Sequence, residues 1–192
     1  MSNPDKQKWD ACYASSTEHV LLPCEFLLDY QHLLPEQGSA LDLACGRGGN
    51  AIFLAEHGLN VEAWDISSKA IELLNQSAQD RKLSINVQAR DVVANPPEAD
   101  SFDIIVVSRF LDRTLIPKIR AAIKSGGLIF YQTFIQDKIN DKGPSNPEYL
   151  LDKNELLSFF NDWRILLYHE EGSVGNIEQG FRNQAMLIAQ KP

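Results

Sequence analysis

From residue 39 the chain alternates between two apolar patterns. Short runs of strand character, "ALDLAC" at 40–45, "NVEAWDI" at 60–66, "SINVQARDV" at 84–92 and "FDIIVVSRFL" at 102–111, are interleaved with "NAIFLAEHG" at 50–58 and "SKAIELLNQSAQD" at 68–80, which carry apolar residues at helical spacing. Continuous runs such as "DIIVV" suit strands buried on both faces of a parallel sheet, so the middle of the chain predicts βαβ units in a doubly wound α/β fold. Beyond it come a helical stretch at 112–125, weakened early by Pro117, and an apolar run, "LIFYQTF", at 128–134. A helix at 152–160 and strands near 163–171 and 184–191 close the chain, the last two reading as a hairpin. Residues 135–149, "IQDKINDKGPSNPEY", read as a long loop at the carboxyl end of a strand, where lids and binding segments gather. Upstream, 5–14 and 24–34 read as helices, the second carrying Phe26, Leu27, Tyr30, Leu33 and Leu34 before Pro35.

Composition narrows the field. A chain of 192 residues, 44% hydrophobic and 23% charged, fits one globular domain, expected as a helical lid region at 1–38 and a core at 39–192. The first residues form no apolar signal segment and no run is long enough to span a membrane, so a cytoplasmic protein is expected. Cys12, Cys24 and Cys45 are odd in number and lack CxxC spacing; His19, His32, His57 and His169 are scattered. Neither set predicts a disulfide framework or a metal site. A net charge of −8 opposes nucleic-acid binding and favours a small-molecule partner.

The chemistry concentrates in "ALDLACGRGGNAIFLAEHG". Gly46, Gly48 and Gly49 lie between a strand and a helix, where missing side chains let a ligand approach backbone amides. The string from Gly46 to Ala51 also satisfies GxGxxA, and Asp65 follows at the distance of a ribose-binding acid, so the motif alone leaves a dinucleotide open. Three features favour S-adenosylmethionine. Asp42 stands four residues before Gly46, where a carboxylate helps hold a cationic amino acid end. Asp91 and Val92 end the third strand, placed for an adenine amino group and ring. A chain of this length leaves no room for the second domain expected of a nicotinamide enzyme.

These residues resemble the successive motifs of class I S-adenosylmethionine-dependent methyltransferases, strongly over 39–134. "GRGGN", "LAEHG", "WDIS", "GGLIFYQTF" and "ELLSFFNDWRILLYHEE" resemble the small bacterial tellurite-resistance, TehB-like branch. The resemblance implies a Rossmann-like seven-stranded sheet ordered 3-2-1-4-5-7-6 with the last strand antiparallel. It implies S-adenosyl-L-methionine as cofactor, leaving as S-adenosyl-L-homocysteine. By position it assigns Asp42, Ala44, Gly46 and Gly48 to the cofactor loop, Asp65 and Ile66 to the ribose side, Asp91 and Val92 to the adenine pocket, and Ser108 and Arg109 to the methionine and acceptor end. There are departures: the C-terminal turn "EEGSVGNIEQGFR" offers only Arg182 as a basic group, and Gln132 stands where an acid is common.

Methyl transfer from a sulfonium works by alignment and desolvation and needs no covalent residue. A thiolate or chalcogen oxyanion needs no general base, and no candidate base is evident, so no catalytic residue is assigned. Arg109, Arg113 and Arg182 could each orient an anion. Trp9 and Tyr13, at i and i+4, suit a lid over the cofactor and plain packing equally. Tyr131 points to the site or to the core by strand parity, Asn50 contacts the cofactor or caps a helix, and Cys45 reads as a buried filler. The expected function is methyl transfer to a small-molecule acceptor, a chalcogen oxyanion or thiol. The alternatives are a cofactor-binding sensor or partner protein without transfer, and an NAD-dependent oxidoreductase. Oligomeric state is not legible.

Overall fold

The computed structural model describes residues 4–15 and 21–192, and His19 lies outside them. In order, the elements are α1 (Pro4–Ser15), α2 (Glu25–Asp29), β1 (Ser39–Leu43), α3 (Gly49–Glu56), β2 (Asn60–Asp65), α4 (Ser68–Asp80) and β3 (Ile85–Ala89). There follow β4 (Phe102–Ser108), α5 (Ile116–Ala122), β5 (Ile123–Phe134), α6 (Glu155–Phe159), β6 (Arg164–Glu170) and β7 (Gln184–Gln190). The seven strands form one sheet in the order β3-β2-β1-β4-β5-β7-β6, parallel except for β7, which runs antiparallel to both neighbours.

Strand parity divides the core in two. Ile104 and Val106 of β4 face α2, α3 and α4 with Phe26, Ala51 and Leu54, while Ile105 and Val107 face α5 and α6 with Ile119, Leu156 and Phe160. Both clusters are buried, which is why the central strands read as unbroken apolar runs.

Three boundaries differ from the sequence reading. The segment at 24–34 is a five-residue helix followed by a 3-10 turn, Gln31–Leu33, because Tyr30 leaves helical geometry at φ −111°. Helix α5 starts only at Ile116, with Pro117 in its first turn where a missing N–H costs nothing. Strand β5 begins earlier than expected, at Ile123, and runs through Gly126 and Gly127, with a register shift on β4 between Phe102 and Ile104. Residues 135–149 lack regular structure apart from a closing 3-10 turn, Pro147–Tyr149, and the chain rejoins the sheet through an Ile135–Leu151 bridge. Among the described residues, no helix is long and apolar enough to cross a membrane.

Candidate functional site

Two features meet at the carboxyl ends of β1 and β2, beside the β1–β4 junction where the strand order reverses and open α/β sheets hold ligands. The first is the glycine turn. Ala44 (φ 56°), Gly46 (φ 54°) and Gly48 (φ 81°) alternate left-handed residues through it, and Gly48 becomes the N-cap of α3. The second is Asp65 at the end of β2, whose carboxylate accepts from the Gly46 and Ser67 amides, each at 2.8 Å. Asp65 is thus locked across the mouth of the turn, and burial raises its pKa above the ordinary carboxylate value.

The three glycines serve different neighbours. A Cβ on Gly48 would lie 2.2 Å from Leu74 Cδ1 of α4, and one on Gly49 would lie 2.3 Å from the Leu22 carbonyl oxygen. Both are packing constraints. A Cβ on Gly46 would instead come within 2.8 Å of the Tyr13 hydroxyl, so of the three this glycine alone meets α1. Tyr13 stacks on Trp9 with ring centroids 5.9 Å apart, and burial beside Asp65 and Cys45 pushes its hydroxyl pKa upward. Tyr13 thus lies over the glycine turn with Trp9 beside it. Cys45 is 9% exposed and packs as the expected filler.

Several residues hold the site from beneath. Asp42 is 1% exposed, on the face of β1 turned to α3; it accepts from the Ala51 amide at 3.0 Å and from Asn50 Nδ2 at 3.4 Å. Asp42 therefore caps α3 from within the sheet, with burial pushing its carboxyl up to about 7. Asn50 is likewise turned inward, its Oδ1 accepting from the Cys24 amide at 2.9 Å. Val92 is buried in the core cluster shared with α5 and α6. Asp91 stays half-exposed at the end of β3, where its Oδ1 accepts from the Val93 and Ala94 amides. Ile66 and Ser108 are half-buried at the ends of β2 and β4.

Beyond the ends of β4 and β5 opens a cavity of about 760 Å³, lined by Arg109, Phe134, Asn140, Lys142, Gln184 and Glu178 among others. Arg109 is exposed and left-handed (φ 57°), pinned by its own amide to the Gln132 carbonyl at 2.7 Å, and its guanidinium has no hydrogen-bond partner among the described residues. At the floor, Gln132 donates to Gln184 at 2.8 Å while its own Oε1 is buried without a partner among the described residues. Asn183 joins the two loops that wall the cavity: it accepts from the Ile139 amide, donates to Asn140 Oδ1, and its carbonyl receives the Ile135 amide. Asn140, Lys142, Asn183 and Gln184 escaped the sequence reading, since polar residues in a long loop carry no periodic signal.

Three residues weighed for the acceptor end, Tyr131, Arg182 and Arg113, are engaged elsewhere. Tyr131 is fully buried on the α5 and α6 face, its hydroxyl donating to the Phe110 carbonyl at 3.1 Å. Arg182 lines the cavity but donates to the carbonyls of Gly172, Val174, Asn176 and Gln179, and so organises the 171–183 loop. Arg113 grips Glu155 through two nitrogens, at 2.7 and 2.8 Å, and the Glu148 and Leu150 carbonyls. No group of three or more potential metal ligands gathers among the described residues.

One antiparallel strand next to last in the sheet, a glycine turn after β1 and an acid closing β2 define a Rossmann-like cofactor-binding fold. A family profile described as tellurite resistance protein TehB matches residues 29–186, and the chain belongs to that family. It is 31% identical over 138 residues to a probable S-adenosyl-L-methionine-dependent methyltransferase TehB of Haemophilus influenzae, covering 68% of this chain and 47% of that protein. It is 28% identical over 130 residues to a ubiquinone biosynthesis O-methyltransferase of Coxiella burnetii, covering 65% of this chain and 56% of the other. The chain thus spans about half the length of the curated relatives it matches. The crystal structure of TehB from Haemophilus influenzae superposes with a TM-score of 0.72 at 23% identity, over 97% of this chain and 67% of that one, a likeness of fold.

Proposed function

We propose that the chain transfers a methyl group from S-adenosylmethionine to a small, soft or anionic acceptor such as a chalcogen oxyanion or a thiolate. The observation that carries this is Asp65, a largely buried carboxylate fixed over Gly46 by two backbone amides with lone pairs left for ribose hydroxyls. The donor set fits the cofactor. Asp65 and Asp91 make the rim of the turn acidic, which suits a sulfonium and an ammonium and opposes a pyrophosphate. When bound, the cofactor supplies a methyl group already activated on cationic sulfur.

The chain's own residues then have three tasks. Asp65 and the Gly46 backbone hold the nucleoside, with Asp91 and Ile66 beside the base. Tyr13 and Trp9 exclude water from above. Arg109 and Lys142 orient the acceptor's negative charge, which leaves the nucleophilic atom unprotonated and removes the need for a base. Charge is thus divided across the cleft, acidic at the turn and basic at Arg109 and Lys142.

The test is calorimetric titration with S-adenosylmethionine, S-adenosylhomocysteine and NADH, with Asp65→Ala as control. Binding of the two sulfur ligands, weakened at least ~10-fold in the variant by loss of hydrogen bonds to a charged group, is the expected result. Binding of NADH alone would return the turn to the dinucleotide class.

A further inference from the structure

Helix α1 is held to the molecule by points. None of its residues is buried and its apolar residues form no face, yet a lone twelve-residue helix is marginal in water. Its anchors are therefore individual side chains. Asp10 supplies one: its Oδ1 accepts from the Ser67 hydroxyl at 2.6 Å and from the Lys69 amide at 3.1 Å, at the start of α4. Its Oδ2 accepts from Lys6 at 2.6 Å. Ser67 itself caps α4 by accepting from the Ala70 amide and sits two residues beyond Asp65, so the latch lies next to the nucleoside site. On the opposite side, the Lys8 ammonium lies 5.4 Å from the Trp9 ring centroid and 5.9 Å from that of Tyr149, at the end of the 135–149 loop.

We infer that α1 is a strap across the mouth of the cleft, pinned to α4 by Asp10 and resting on Tyr149 through Lys8, and that the Asp10 latch sets how fast the cofactor leaves. This rests on the cofactor reading given above. Asp10 is a positioning residue: it touches no reactant, but its hold on Ser67 and Lys69 keeps Tyr13 over Gly46. Release of Asp10 frees the helix end that carries Trp9 and Tyr13 together, while the sheet beneath is unaffected.

The test uses the full chain with S-adenosylhomocysteine as probe, read by stopped-flow dissociation and by acrylamide quenching of tryptophan. Trp64 and Trp163 are 3% and 7% exposed against 40% for Trp9, so quenching reports the strap. Asp10→Ala should raise quenching in the free protein and speed dissociation roughly 10-fold, with association within about twofold. Asp10→Asn keeps an oxygen for Ser67 and Lys69 and should recover to within about threefold of the parent rate. Unchanged quenching and dissociation in Asp10→Ala would overturn the latch, as would a slower association that accounts for the whole loss. If the parent chain fails to bind the probe, the cofactor reading fails instead, and quenching of the free protein still decides whether Asp10 pins the helix.

Discussion

Asp42 accepts a hydrogen bond from the Ala51 amide at 3.0 Å, joining β1 to the first turn of α3 across the entire glycine turn. The turn is therefore closed twice, by Asp42 from below and by Asp65 at the rim. Gly48 caps α3 without a side chain, and Asp42 supplies the acceptor that a Ser or Asp N-cap would otherwise bring.

The first prediction concerns pH. Burial raises Asp42 from 3.8 to about 7, so the folded protein binds a proton that the unfolded chain has released over that window. Stability from this group is complete below pH ~4 and declines as pH rises to ~7, by ~2–3 kcal/mol between pH 5 and 8. Asp42→Asn should remove that slope, so the variant gains on the parent at pH 8 relative to pH 5 in urea unfolding. Parallel pH profiles for the two proteins would contradict it.

The second separates two glycines by what they face. Gly48→Ala drives a methyl into Leu74 at a left-handed position and should cost ~2–4 kcal/mol, read as a lowered Tm. Gly46→Ala meets the Tyr13 hydroxyl, which can swing away, so it should cost ~1–2 kcal/mol of stability and mainly weaken S-adenosylhomocysteine binding. Equal binding losses in both variants would mean that the turn acts only as scaffold.

The third compares two arginines on one cavity. Arg182→Ala leaves four carbonyls without their donor and should lower the Tm as the 171–183 loop loosens. Arg109→Ala removes a guanidinium with no hydrogen-bond partner among the described residues, so the Tm should hold while methylation of selenite or a small thiolate falls at least ~10-fold in kcat/KM. The reverse pattern would assign the anion to Arg182.

Local signals carried much of this site. The alternation of strands and helices, the glycine turn and Asp65 were legible because period, turn residues and spacing are properties of neighbouring residues; the strand order came from the family resemblance, since strand pairing is set by contacts distant in sequence. Tyr131 was not, because "LIFYQTF" is buried on both faces and parity leaves no mark in an all-apolar run. Arg182 misled for a different reason. A lone cation in a polar turn looks available until the loop closes and four of its carbonyls converge on it. The capping bond of Asp42 was not legible because its partner, Ala51, comes close only once the turn has folded. Asp10 and Lys8 gave no signal, since each acquires its role from a contact more than fifty residues away.

The bonds of Asn183 to Ile135, Ile139 and Asn140 make the two walls of the cavity beyond β4 and β5, the proposed acceptor site, one mechanical piece. Grafting only one of these loops from a relative would tear that joint. Acceptor preference should therefore transfer as a cassette, with 135–149, 171–183 and the asparagine exchanged together, while the cofactor half of the sheet stays as it is.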